Sequence, residues 1–360
     1  MRRCPSLALA GILLLATAAA PGVDGAIVDY KRPPPTFGAV SNETHYLRGG
    51  SIRIDQRIVQ ARTKLVLLRQ RYTRPGQTFT FETTRAVDGR LVGVSAMDDP
   101  LTSPPSAALR RWIGPIETHL GERCRVWQAI RPTKLVGSFV QSGCATADEI
   151  ELWRKQASID AIFATRVRRV AVPPQAVRLP FEALDTAALM RVGSGTDHQH
   201  DYEVVLQGPA GQSALSRRSG NWLYVEENAP GAVSITIHNS VSGAAISYSR
   251  GRDGTRRLGW SQPLFANNVR SVGVPGRPLP KTLARTILGE RCMMRDLMAG
   301  VSDAGRVDCL TADGIPLLSS RQSWGSGQTF TATRLSRTSQ PLIKVTLPAA
   351  VTKPAAWLAQ

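Results

Sequence analysis

The sequence predicts a β-rich α+β fold made of two tandem repeats. Each repeat is an antiparallel, curved, half-barrel-like sheet with one covering helix and one disulfide. Three observations carry this: the same blocks recur in the same order in both halves, cysteines fall in pairs at matching places in them, and β-rich runs are punctuated by Asp-Gly turns.

The recurring blocks come first, because a missed repeat misassigns a whole fold. Leu120-Gly121-Glu122-Arg123-Cys124 matches Leu288-Gly289-Glu290-Arg291-Cys292, and Cys144-Ala145-Thr146-Ala147-Asp148 matches Cys309-Leu310-Thr311-Ala312-Asp313. Upstream, the stretch from Arg85 to Ser95 answers Arg250 to Ser261; downstream, Phe163 to Arg166 answers Thr331 to Arg334, and Gln175 to Pro180 answers Gln340 to Pro348. These anchors place a signal peptide at 1–25, an extended N-terminal arm at 27–44, repeat 1 at 45–185, a linker at 186–200, repeat 2 at 201–350 and a C-terminal tail at 351–360.

Met1-Arg2-Arg3 followed by the apolar run Leu7 to Ala20 reads as a secretory signal peptide, shorter than a membrane span. Three consecutive prolines, Pro33 to Pro35, give the arm an extended backbone, and Val192 to Asp197 has the small, polar composition of a linker. Thr78 to Phe81 and Val233 to Ile237 alternate apolar and polar residues as half-buried strands do. Asp88-Gly89 and Asp253-Gly254 mark hairpins whose turn residues both take positive φ. Leu109, Trp112, Ile113 and Ile116, and in the second unit Leu279, Leu283 and Ile287, recur at helical spacing and supply the covering helix. Two final strands close each unit, at Phe163 to Val170 and Ala176 to Leu179 in the first and at Phe330 to Leu335 and Leu342 to Leu347 in the second.

Cys4 leaves with the signal, so four cysteines remain. Three pairings are possible; Cys124 with Cys144 and Cys292 with Cys309 need no contact between units if each folds around its own core. No Cys-x-x-Cys occurs and no His lies beside the cysteines in both units, which disfavours redox or metal chemistry.

The formal net charge of +18 favours anionic partners, namely anionic lipid, lipopolysaccharide or an envelope protein, with peripheral contact to a membrane surface; export removes nucleic acid from consideration. Arg166, Arg168 and Arg169 with Arg334 and Arg337 fall on the corresponding strand of both units, while Arg250, Arg252, Arg256 and Arg257 crowd one hairpin; together they form a candidate anion-binding face. His198 and His200 are the weak candidates for metal ligands, and no motif calls for a metal or cofactor. Asp148 and Asp313 recur four residues after the second cysteine, as turn residues or as catalytic carboxylates.

The segment Cys309 to Leu317, followed by Phe330 to Arg334 and the terminal Leu347-Pro348, resembles a group of bacterial envelope proteins with a Cys...Cys-x-Thr-x-Asp-Gly-Ile pattern. More loosely, the order of strands and helix is similar to the half-barrel of periplasmic lipoprotein carriers. Glu149-Ile150-Glu151-Leu152 departs from the pattern by lacking the Gly and Pro, and the resemblance implies no catalytic residues. The resulting expectation is a non-catalytic periplasmic or secreted protein that binds or carries an amphiphilic or anionic envelope component. An envelope assembly scaffold and a hydrolase using Asp148 or Asp313 are the alternatives.

Overall fold

The computed structural model describes residues 24–31, 42–59, 65–75, 77, 79–98, 110–133, 137–156, 159–186, 189–190, 200–262, 277–279, 283–297, 304–323, 326–353 and 357. Residues 1–23 of the stretch read as a signal peptide, Pro33 to Pro35, Leu109, residues 191–199 of the stretch read as a linker, with His198, and most of the tail beyond 353 lie outside the described residues.

The first half contributes β1 (Ala26–Lys31), β2 (Asn42–Arg48), β3 (Ser51–Val59), β4 (Val66–Thr73), β5 (Phe79–Ala86), β6 (Leu91–Asp98), β7 (Arg111–His119), β8 (Glu122–Thr133), β9 (Gly137–Ala145), β10 (Glu151–Gln156) and β11 (Ile159–Arg169). The second contributes β12 (Tyr202–Gln207), β13 (Ser213–Ser219), β14 (Trp222–Ala229), β15 (Ala232–Asn239), β16 (Ala245–Arg250), β17 (Arg256–Ser261), β18 (Arg277–Pro278), β19 (Arg285–Ile287), β20 (Glu290–Asp296), β21 (Ala304–Leu310), β22 (Pro316–Ser323) and β23 (Ser326–Ser336). All pairings are antiparallel, as short connections between successive strands require. No described helix is long and apolar enough to cross a membrane.

The two halves are wired alike. β1 lies between β2 and β11, as β12 lies between β13 and β23, so the first strand of each half pairs with its last. A bulge interrupts that closing pair between Asp29 and Tyr30 in one half and between Val205 and Leu206 in the other. The halves meet where β6 pairs with β17, from Gly93 opposite Ser261 to Met97 opposite Arg257.

Cross-sheet contacts show that both halves curl. His119 on β7 hydrogen-bonds the Ala164 carbonyl on β11 at 2.9 Å, although four strand steps separate them, about 19 Å on a flat sheet. In the second half Arg321 on β22 pairs with Glu227 on β14, again four steps away.

Side-chain alternation sorts the cores. Tyr72, Phe81, Val94, Trp260, Leu258, Ile246 and Ile237 share one face and form the large central core. Val204, Leu206, Ala214, Cys292 and Cys309 form a second core on the opposite face, and Val28, Tyr30, Cys124, Cys144 and Ile162 a third, in the first half. Each small core is bound by its disulfide, Cys124–Cys144 joining β8 to β9 and Cys292–Cys309 joining β20 to β21, with Cα atoms 5.4 and 5.3 Å apart. The local pairing is therefore the one formed.

Five expectations are corrected. Of the residues read as a covering helix, Trp112, Ile113 and Ile116 lie on β7 and Ile287 on the short β19, because Leu120-Gly121 and Leu288-Gly289 are two-residue hairpin turns. Both residues of each turn have positive φ, 54° and 78° in the first and 52° and 77° in the second, so each turn joins two antiparallel strands and not a helix to a strand. The segments read as last strands are short 3₁₀ turns, Pro174–Ala176 and Leu342–Val345, and the chain after them plugs the central core through Leu179, Leu184, Met190, Val345, Leu347 and Trp357.

The core is consequently not private to each half: Trp357 packs edge-on against Phe79 of β5, and the Trp260 indole donates to the Ala183 carbonyl at 2.7 Å. The arm expected at 27–44 begins instead as β1 and ends in β2, with Val28 and Tyr30 buried; its short apolar alternation was masked by the prolines that follow. The Asp-Gly hairpins form where expected but through three-residue loops in which only the glycine is left-handed, Gly89 at 84° and Gly254 at 81°.

Candidate functional site

The nine arginines expected to form one anion-binding face separate into distinct environments. Arg169 and Arg337 sit in equivalent clamps. Arg169 donates from Nε to Asp148 at 3.1 Å and from Nη1 to Glu122; Arg337 donates from Nε to Asp313 at 2.9 Å and from Nη1 to Glu290 at 2.6 Å. Thr146 and Thr311 donate to the same aspartates, and their hydroxyls accept the Ile150 and Ile315 amides.

Hydrogen bonds from Arg337 hold the Asp313 carboxyl down at about 2, against the desolvation that opposes them. At Asp148 desolvation raises the pKa, but the bonds from Arg169 and Thr146 outweigh it and the net shift is downward. These aspartates lie in three-residue hairpin loops between β9 and β10 and between β21 and β22, so their role here is to tie a turn to the Glu of the Leu-Gly-Glu-Arg-Cys block through one arginine.

Other arginines are also engaged. Arg168 pairs with Asp29 at 3.6 Å, and Arg334 with Glu203 at 2.7 Å. Desolvation pushes the Glu203 pKa up, yet Arg217 at 2.6 Å and Arg334 reverse the shift. Arg256 bonds Asp98 across the β6–β17 seam at 2.9 Å and lies 4.5 Å from the Trp357 ring. Arg166 is exposed on β11.

Arg250, Arg252 and Arg257 are different. All three are exposed, none has a carboxylate partner among the described residues, and all three line one pocket of ≈ 510 Å³. The strand alternation explains the split between neighbours: Arg256 points with Leu258 to the central core, and Arg257 to the opposite face with Ser249 and Ser234.

The pocket lies at one end of the second half. Arg252 and Thr255 come from the loop between β16 and β17, Asn228 and Ala229 from the end of β14, Ala232 to Ser234 from β15, Gln212 from the turn before β13, and Gln328 and Phe330 from β23. β23 reaches this place only because the sheet curls, six strand steps separating it from β17. Phe330 is buried and forms the floor, a Cβ on Gly208 would come within 2.6 Å of its ring, and Arg321 lies 5.7 Å above it. The one acidic lining residue, Glu227, is already paired with Arg321.

The crowding of arginines on the hairpin singled out this region from sequence. The uncharged lining residues Gln212, Ser234, Ser249 and Gln328 gave no signal, since a polar residue on every second strand position marks any solvent-facing strand. His200 is exposed, and His198 lies outside the described residues, so the pair is not brought together here. Among the described residues, the Glu117, Cys124 and Cys144 group has ligand-type atoms close together, but its sulfurs are joined in a disulfide and are not thiolates.

No family model matches the chain, and no curated protein matches it. Among solved structures, the chain is similar to MucB in complex with MucA(peri), at 12% identity over 68% of this chain and 90% of that one, with a TM-score of 0.21. A second, the Pseudomonas aeruginosa MucA/MucB complex, gives 13% identity, 67% and 90% coverage, and a TM-score of 0.22. At such scores fold and function rest on this chain's own residues.

Proposed function

We propose that the protein is an envelope-compartment binding protein whose pocket between the β16–β17 hairpin and β23 holds an anionic envelope component. The observation that carries this is the sorting of the arginines: Arg169, Arg337, Arg168, Arg334 and Arg256 all have carboxylate partners, whereas Arg250, Arg252 and Arg257 line the pocket with none among the described residues. A guanidinium group without a carboxylate partner gains from an anion, which it can bind through two parallel N–H donors. The signal-like N-terminus and the two disulfides support an oxidising compartment outside the cytoplasm.

Titration with dextran sulfate at low and moderate salt tests the proposal. The protein should bind with a salt-dependent affinity, and Arg250→Ser/Arg252→Ser/Arg257→Ser should weaken binding at least tenfold, while Arg166→Ser leaves it within a factor of two. Equal affinity of the triple variant and the parent protein removes the pocket from the function.

A further inference from the structure

We infer that the anion this pocket takes is an acidic saccharide, a sugar bearing carboxylate, phosphate or sulfate, rather than the head of a lipid whose acyl chains also enter. This rests on the anion-binding reading above and narrows it. The argument is the composition of the wall. An acyl chain entering the pocket would meet apolar side chains only at Ala229, Ala232, Val233 and the floor at Phe330, and elsewhere it would strip water from polar groups that it cannot hydrogen-bond.

Gln212, Ser234, Ser249 and Gln328 also line the pocket, and their side chains have no hydrogen-bond partner within the described protein. Amide and hydroxyl groups both donate and accept, which is what sugar hydroxyls require, whereas inorganic anions use donors alone. Thr255 differs, because its hydroxyl is held by Asp253 at 2.6 Å. The arrangement therefore has two parts: arginines from the hairpin for the charge, and unengaged amides and hydroxyls from the turn before β13, from β15, from β16 and from β23 for the ring. A sugar that reproduces the hydrogen bonds such side chains make to solvent displaces water without loss.

The discriminating experiment compares three probes on the full protein: inorganic phosphate and trigalacturonate by calorimetry, and phosphatidylglycerol vesicles by co-sedimentation. Trigalacturonate should bind at least tenfold more tightly than phosphate. Gln212→Ala/Gln328→Ala, at surface positions outside the cores, should cut trigalacturonate affinity at least fivefold and leave phosphate affinity unchanged. Phosphate and vesicles binding as tightly as trigalacturonate would overturn the saccharide assignment and leave anion binding standing. No binding of any probe, together with none of dextran sulfate, would overturn both.

Discussion

The two halves differ least around their disulfides and most at their outer edges and hairpin tips. Around the second cysteine each half builds the same object: a three-residue loop, a threonine capping it, an aspartate, and an arginine reaching on to the glutamate of the Leu-Gly-Glu-Arg-Cys turn. At the edge, β7 runs nine residues in the first half, where the second has strands of two and three residues, with Pro278 in the first of them. At the hairpin tip the first half carries Val87 where the second carries Arg252. The parts that fix the fold are held in common, and the differences lie at the sheet edge and at an exposed hairpin tip.

The comparison is broken most severely if the halves are independent, and Trp357 tests that. Trp357→Ala deletes a buried side chain shared by both halves and should cost about 3–5 kcal/mol. Denaturant unfolding followed by probes in each half should shift as one transition; an unmoved first half would show separate cores. Next are the disulfides, which close loops spanning 20 and 17 positions. Cys124→Ala/Cys144→Ala and Cys292→Ala/Cys309→Ala should each cost about 3 kcal/mol, and unequal losses in the same assay would show that one half carries more of the fold.

Much of this was legible in the sequence. The recurring blocks located the disulfides, the turns at Asp88-Gly89, Asp148, Asp253-Gly254 and Asp313, and β11 and β23, which close each half. The seam was not, because β6 and β17 are far apart in the chain and neither carries a mark of its partner. The covering helix misled because Trp112, Ile113, Ile116 and Ile287, apolar at helical spacing, lie on strands that run into the Leu120-Gly121 and Leu288-Gly289 turns. Of the adjacent pair Arg256 and Arg257, only knowledge that Asp98 lies beside the first tells which one is free to serve a ligand.

Smaller effects sharpen the shared clamp. Arg337→Met and Arg169→Met should each cost about 1–2 kcal/mol by leaving two carboxylates without their donor. Because Asp313 titrates at about 2 when folded and near 3.8 otherwise, its contribution is complete above about pH 4 and is lost as pH falls toward 2. Unfolding measured from pH 2 to 5 should show that slope in the parent protein and a weaker one in Arg337→Met. The smallest effect belongs to Glu149, which holds φ at 63° where its counterpart is Gly314 at 82°. Glu149→Gly should stabilise by less than about 1 kcal/mol, relief of strain being offset by the lost pair with Arg110, whereas Gly314→Glu should destabilise by about 1 kcal/mol, both read from denaturant midpoints.

The packing of Trp357 against Phe79 also sets an order of events. Synthesis delivers β5 long before Trp357, so the apolar surface around Phe79 must wait, partly open to water and to chaperones, until that residue has arrived. Truncation of a few C-terminal residues would then be felt at the opposite half of the protein, as a failure to finish a surface made early in synthesis.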